Sequence, residues 1–380
     1  MKERSHGPGG SSRRAIALAL CACLGGALMA GCGGSSGGGG SSTPSGSSAP
    51  GSTSTSAGGT APKTATGDGT QELCVTSLVS FGLAPVFFEG YKQIATDLKM
   101  KYVQKIASPD GNLQSAASNI EQCIQSKATA IVGIATENAA VAAQIAQAAK
   151  AGIPYIADES GSPVPGVKAT IWGNEWENSA KLVGYLLTNY TTPRKVLVLK
   201  ATVLPVVRRR TTGFLAAAAV EKGQIQVEAT AELDLAAGVA NSATDKVTAA
   251  LRANKDINVV VAPWDDPAAG AVAALKRLGR DDVAVLSYDG LEPTYAAMRT
   301  GQSPIAALAA LPSEALFNVR KAVVGQILAK SLPDSVNALC TGPLVTKDNV
   351  PGKGSLTPGG ECIVSGKVVS AATLKQQAAG

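Results

Sequence analysis

The chain has 380 residues, of which 45% are hydrophobic, 16% charged and 4% aromatic, and its formal net charge is +6. That length suits two or three domains, and no basic tract except the arginine triplet at 208–210 follows the first 32 residues, which excludes nucleic acid as a partner. The single histidine is His6, so the body of the chain has no imidazole for a Ser-His-Asp or Cys-His nucleophile or for most zinc sites.

Residues 1–32 read as an export signal. A basic start ends at Arg13-Arg14, and residues 15–30 form a 16-residue apolar run, short for a membrane span but right for a signal core. The run ends in Leu28-Met29-Ala30-Gly31-Cys32. Small residues before a cysteine resemble the bacterial lipoprotein cleavage motif, which makes Cys32 the lipidated first residue of the mature chain. Two or more acyl chains would anchor it stably, each buried CH₂ contributing about 0.8 kcal/mol. Removing the leader takes away a net +3 and leaves a nearly neutral body. Residues 33–71 are almost entirely Gly, Ser, Thr, Ala and Pro, a composition that buries too little to fold and acts as a tether.

The folded part opens with a strand at 73–80, a helix at 86–99 and a strand at 100–106. Ile120, Cys123 and Ile124 place a helix over 118–127. Residues 128–134 are an apolar run without alternation, which suits a strand covered on both faces. An Ala-rich helix at 137–150 is stopped by Gly152 and Pro154, and a strand follows at 154–158. A strand at 167–172 and a helix at 174–189 end the first array. The cycle then repeats: strands at 195–199, 225–231, 257–262, 283–288 and 305–308, with helices at 207–222, 240–253, from Asp266-Pro267, 293–300 and 313–330. A short strand follows at 344–346.

Two successive βα arrays predict an α/β fold of two doubly wound parallel-sheet lobes. Ligands of such sheets bind beyond the carboxyl ends of the strands, which marks Gly133 to Glu137 and Asp158 to Ser160. Cys74, Cys123, Cys340 and Cys362 remain once the leader and Cys32 are set aside. An even number in an exported chain points to two disulfides. Of three possible pairings, Cys74–Cys123 and Cys340–Cys362 are favoured, because the first pair meets at one end of the sheet and the second flanks a Gly/Pro-rich excursion.

Several segments resemble the type I periplasmic binding proteins of the ribose/galactose-binding class, the substrate-binding lipoproteins of sugar ABC transporters. RRRTTGF at 208–214 is similar to the family's arginine-to-phenylalanine segment. APWDDPAAGAVAAL at 262–275 is similar to its asparagine-aspartate helix start, VAVLSYDG at 283–290 to its Phe-Asp-Gly strand end, and AALAALP at 306–312 to its last interlobe crossing. The likeness spans about residues 73–346. It implies three hinge crossings near Gly173, Leu311 and Cys340, with an N-terminal lobe of 72–173 plus 311–339 and a C-terminal lobe of 174–310 plus 340–380. It also implies a monomer that traps a small ligand, usually a sugar, between its lobes without a cofactor or metal and docks on an ABC transporter permease.

The resemblance carries Asp158, Asp289, Arg210 and Asp265 over as ligand-binding residues. Gly133, Glu159, Trp264 and Ala310 stand where the ribose binder has asparagine, arginine, asparagine and glutamine, so ribose itself is disfavoured: a site built for hydroxyls needs many donors and acceptors. Phe87, Phe88, Trp172 and Trp264, near predicted strand ends, offer aromatic faces in compensation, and Glu159 with Trp264 admits an aromatic or amine ligand. An extracellular ligand sensor of the same fold is a second reading. Enzymatic hydrolysis by a carboxylate pair such as Asp158 and Asp289 is a third; no phosphate loop exists, since Gly352-Lys353-Gly354 lacks the spacing. The export leader, in place of a DNA-binding headpiece, excludes a transcriptional regulator. The protein is expected outside the cytoplasm, lipid-anchored to the membrane.

Overall fold

The computed structural model describes residues 63–107, 111–191, 193–354, 357, 360–370, 373 and 375–376. The expected leader, the lipidation site Cys32 and most of the expected tether lie outside these residues.

The first array comprises β1 (Glu72–Ser77), α1 (Ala84–Asp97), β2 (Lys101–Ile106), α2 (Leu113–Gln125), β3 (Ala130–Ile134), a 3₁₀ turn, α3 (Ala142–Lys150), β4 (Tyr155–Asp158) and β5 (Val167–Gly173). The second comprises α4 (Glu175–Asn189), β6 (Arg194–Lys200), α5 (Pro205–Val220), β7 (Ile225–Glu232), α6 (Val239–Ala253), β8 (Val259–Val261), α7 (Asp265–Leu278), β9 (Ala284–Asp289), α8 (Glu292–Arg299) and β10 (Ile305–Ala310). Then come α9 (Ser313–Leu328), β11 (Val336–Thr341), β12 (Leu344–Thr346), β13 (Glu361–Val364) and β14 (Lys367–Ser370).

These strands form two sheets, ordered β14-β13-β11-β5-β4-β3-β1-β2 and β12-β10-β9-β8-β6-β7. All neighbouring pairs are parallel except those of β12, β13 and β14. Every residue of β3 is buried, as its unbroken apolar run requires of a strand covered on both faces. α2 starts five residues before the expected position because the Asn112 side chain accepts the N–H groups of Gln114 and Ser115, an N-cap that draws the helix back. α7 starts at Asp265, with Trp264 rather than Asp266 at the capping position. No helix among the described residues is long and apolar enough to cross a membrane.

Two boundaries differ from expectation. Residues 340–380 do not all join the second lobe: β11, β13 and β14 extend the first sheet, and only β12 joins the second. The reason is the disulfide Cys340–Cys362, which links β11 to β13 where the two residues pair in register. The chain therefore returns from β12 in the second lobe to β13 in the first, a fourth passage beyond the three expected. The tether is also shorter than its composition suggests. Ala65 N–H donates to Gly325 O, Gly67 N–H to Leu98 O and Gly69 N–H to Lys99 O, so 63–71 is docked on the first lobe. The second disulfide is Cys74–Cys123, between β1 and α2.

Candidate functional site

The carboxyl ends of β3, β4 and β5 face those of β6, β8 and β9 across the interlobe cleft. Three non-glycine residues at these ends have left-handed backbone: Ala135 (φ 53), Glu159 (φ 49) and Asp289 (φ 80). Such conformations each cost about 1–3 kcal/mol and cluster at ligand sites. The cleft encloses a cavity of about 60 Å³, with Phe81, Phe87, Ile134 and Glu159 on the first lobe's side and Leu204, Val207, Arg210, Trp264 and Asp289 on the second's. That is small beside the roughly 300–1,000 Å³ of an ordinary ligand pocket, and the lobes stand closed. Arg208 Nη2 meets Glu137 Oε2 at 2.5 Å and Arg209 Nη1 donates to Ser160 O at 2.8 Å, both from the second lobe to the first.

Two charge networks lie beneath the cavity. In the first lobe, Asp158 is fully buried and takes a bidentate pair from Arg320, with Nε at 2.7 Å and Nη2 at 2.9 Å. Tyr91 Oη donates to the same carboxylate at 2.8 Å. Burial, then the adjacent carboxylate, raises the Tyr91 hydroxyl far above its usual range, so it stays a donor. The Arg320 guanidinium lies 3.9 Å above the Phe87 ring centroid. Asp158, expected to accept ligand hydroxyls, has both oxygens occupied and does not line the cavity.

In the second lobe, Arg210 bridges three acceptors. Its Nη1 donates to Pro263 O at 2.9 Å, and its Nη2 donates to Glu175 Oε1 at 3.0 Å and Asp289 Oδ1 at 2.5 Å. Burial alone would depress the guanidinium, but Asp289 and Glu175 hold it well above its ordinary value. Asp289 is raised by burial, which outweighs Arg210. Asp265 accepts from the Gly290 and Leu291 N–H groups at 3.1 and 2.8 Å. Burial, then Asp289, pushes it up to about 7. Its bonds hold the turn that sets Asp289, so Asp265 positions the site from behind the cavity wall.

Glu159 stands between the two networks. Its Oε1 accepts from Gly173 N–H at 2.6 Å, while Oε2 is buried without a hydrogen bond, 3.7 Å from Arg209 Nη2. Burial, then Glu175, pushes Glu159 up to about 8. Gly173 permits this approach, since a Cβ there would sit 2.8 Å from Glu175 Oε1 and 3.3 Å from Glu159 Oε1.

Of the aromatic candidates, Trp264 and Phe87 reach the cavity. Trp264 stacks on Phe81 with centroids 6.2 Å apart and planes at 15°, and its Nε1 donates to Asp266. Phe88 does not line the cavity; it is buried in the hydrophobic core, and its carbonyl accepts from Tyr102 Oη. Trp172 lies under the Arg209 guanidinium at 4.6 Å, outside the cavity wall. Gly133 is imposed by packing, because a Cβ there would overlap the Tyr155 hydroxyl at 1.8 Å. Sequence reasoning missed Arg320, Tyr91, Glu175 and Phe81. Arg320 had a signal: Leu316, Val319, Arg320, Val323 and Val324 are all buried on one stripe of α9, so a charge falls at helical spacing among core positions.

A family model described as "periplasmic binding protein domain" matches residues 84–315. The 5-methylthioribose transporter solute-binding protein of Thermotoga lettingae superposes with TM-score 0.66 at 18% identity, covering 73% of this chain and 86% of that one. A solute-binding protein of Actinobacillus succinogenes with bound D-allose gives TM-score 0.63 at 18% identity, over 73% and 98% of the chains. A galactofuranose-binding protein gives 0.65 at 18% identity, over 73% and 95%. No curated protein matches the sequence.

Proposed function

Since the chain belongs to the periplasmic binding protein domain family, we propose that it is the solute-binding lipoprotein of an ABC importer, trapping a small ligand between its lobes without turning it over. The observation that carries this reading is the cavity itself. Its wall is built from both lobes at strand carboxyl ends, apolar on most sides, with Glu159, Arg210 and Asp289 as its charged groups. Such a site can hold a molecule and release it by lobe opening. The network contains no imidazole and no nucleophile paired to a base, which favours binding over catalysis.

Sugars and sugar-like polyols are the first class to test, because the similar structures include binders of 5-methylthioribose and D-allose. The anchor follows from Cys32 and the Gly/Ser-rich stretch after it, which would hold a monomeric trap near a membrane permease outside the cytoplasm. A thermal-shift screen of pentoses, hexoses and their deoxy and amino derivatives, followed by calorimetry, tests the trap. One ligand should bind 1:1 and lose at least ten-fold in affinity on Trp264→Ala. Steady turnover of any bound glycoside would overturn the binding reading. Mass spectrometry of the mature protein should find an acylated Cys32 at its N-terminus, and cleavage at another residue would remove the anchor.

A further inference from the structure

The cavity is short of the groups a polyol needs and over-supplied with negative charge. Its charged wall groups are Glu159, Arg210 and Asp289. Three of the five N–H groups of Arg210 are already committed to Pro263, Glu175 and Asp289, which leaves only its Nε–H and one Nη1–H. A hexose with five hydroxyls would leave most of its polar groups against Phe81, Phe87, Ile134, Leu204, Val207 and Trp264, where an unpaired polar group loses its water without replacement. The ion pairing is also incomplete. Asp158 is matched by Arg320, and Arg210 is shared by Glu175 and Asp289. Asp265 has backbone donors and the Thr294 hydroxyl but no cation, and Glu159 has only Arg209, at 3.7 Å and outside the wall. Glu159 lines the cavity, and its Oε2 is buried without a hydrogen bond, 3.7 Å from Arg209 Nη2, which also makes none.

We propose that the ligand is a small monocation: an apolar, ring-sized body against Phe81, Phe87 and Trp264, carrying an ammonium group that donates to Glu159 Oε2. This rests on the cleft being the ligand site of a binding protein. An ammonium supplies a donor and a positive charge together, and aromatic faces attract a desolvated cation. The proton balance is defined. Burial, Glu175 and Asp158 raise Glu159 and Arg209 and Arg210 oppose them, leaving it near 8. Glu159 is therefore largely protonated at pH 7, and the incoming ammonium expels that proton to solvent.

The test is calorimetry on the intact protein with benzylamine, benzyl alcohol and benzoate, a series of near-constant shape, beside D-ribose and D-galactose. Benzylamine should bind at least ten-fold tighter than the other four. Its apparent enthalpy should differ between phosphate and Tris at pH 7 by the heat of one released proton. Glu159→Gln keeps the bond to Gly173 N–H and should erase both the preference and the buffer dependence, with its melting temperature confirming that it folds. Tighter or equal binding of the alcohol, of benzoate or of a sugar overturns the monocation and leaves the ligand trap standing. Binding of none of the five overturns the monocation, and a wider sugar and amine screen that is also blank removes the trap as well.

Discussion

The two lobes present the same feature to the cleft, a buried aspartate at the carboxyl end of a parallel strand, and treat it in opposite ways. Asp158 ends β4 and is saturated by Arg320 and Tyr91. Asp289 ends β9 and shares one arginine with Glu175 beside the under-partnered Asp265. The first arrangement is finished without a ligand; the second is not. Position at a strand end is thus insufficient to make a residue a ligand contact, and what decides is whether the protein already supplies its partners.

The largest effect should come from breaking the finished side. Arg320→Met strands a carboxylate at zero exposure, and removing one partner of a buried pair costs about 3–5 kcal/mol. Denaturant titration should show that loss. Asp289→Asn should cost about 1 kcal/mol or less, because Arg210 keeps Glu175 and the Pro263 carbonyl and one repelling carboxylate is removed. It should nevertheless weaken ligand binding at least ten-fold. Equal stability losses in the two variants would erase the distinction between the lobes.

The reach of the sequence follows the same division. Central strands such as β3, β6 and β9 were visible because buried parallel strands are continuous apolar runs, and the exposed edge strands β2 and β7 because the helices around them carry clean stops. β11, β13 and β14 were not, since they lie in a turn-rich stretch and are held by a disulfide and by antiparallel pairing at the edge of the first sheet. The same applies within the site. Glu159, Trp264, Asp265 and Asp289 fall at strand or helix ends, where chain order shows them, and Arg210 lies in the second turn of α5. Arg320 acts from the middle of α9, 162 residues from Asp158, and only its place on a buried stripe betrays it. Asp158 looked like a ligand contact because its partner was out of view.

Acid should sharpen the contrast next. Glu159 and Asp265 have folded values of about 8 and 7 against ordinary values of 4.5 and 3.8. A carboxyl raised by folding binds its proton more tightly in the native state, so the two groups stabilise the fold most below about pH 4. That stabilisation falls as the pH rises and is gone above about pH 8. The melting temperature without ligand should decline across that window. Glu159→Gln should flatten the decline between pH 7 and 8 while leaving the part below pH 7 due to Asp265. A melting temperature that rises through this range would contradict both shifts.

The smallest expected effect lies where the lobes meet. Arg208 and Glu137 pair across the mouth of the cleft, but their side chains are 46% and 27% exposed. Exposed pairs contribute about 0–1 kcal/mol. The pair spans the two lobes and so exists only while they are closed. Its energy then enters the opening equilibrium rather than the folding of either lobe. Arg208→Ala should leave the denaturation midpoint unchanged and weaken ligand binding by up to about five-fold, mostly through faster release, as stopped-flow Trp264 fluorescence would resolve. The neighbouring Arg209, with its interlobe bond to the Ser160 carbonyl and its contact with Trp172, is the better buried of the two and should give the larger release effect. If Arg208→Ala instead lowers the stability of the protein, the pair belongs to the structure of a lobe and not to its closing.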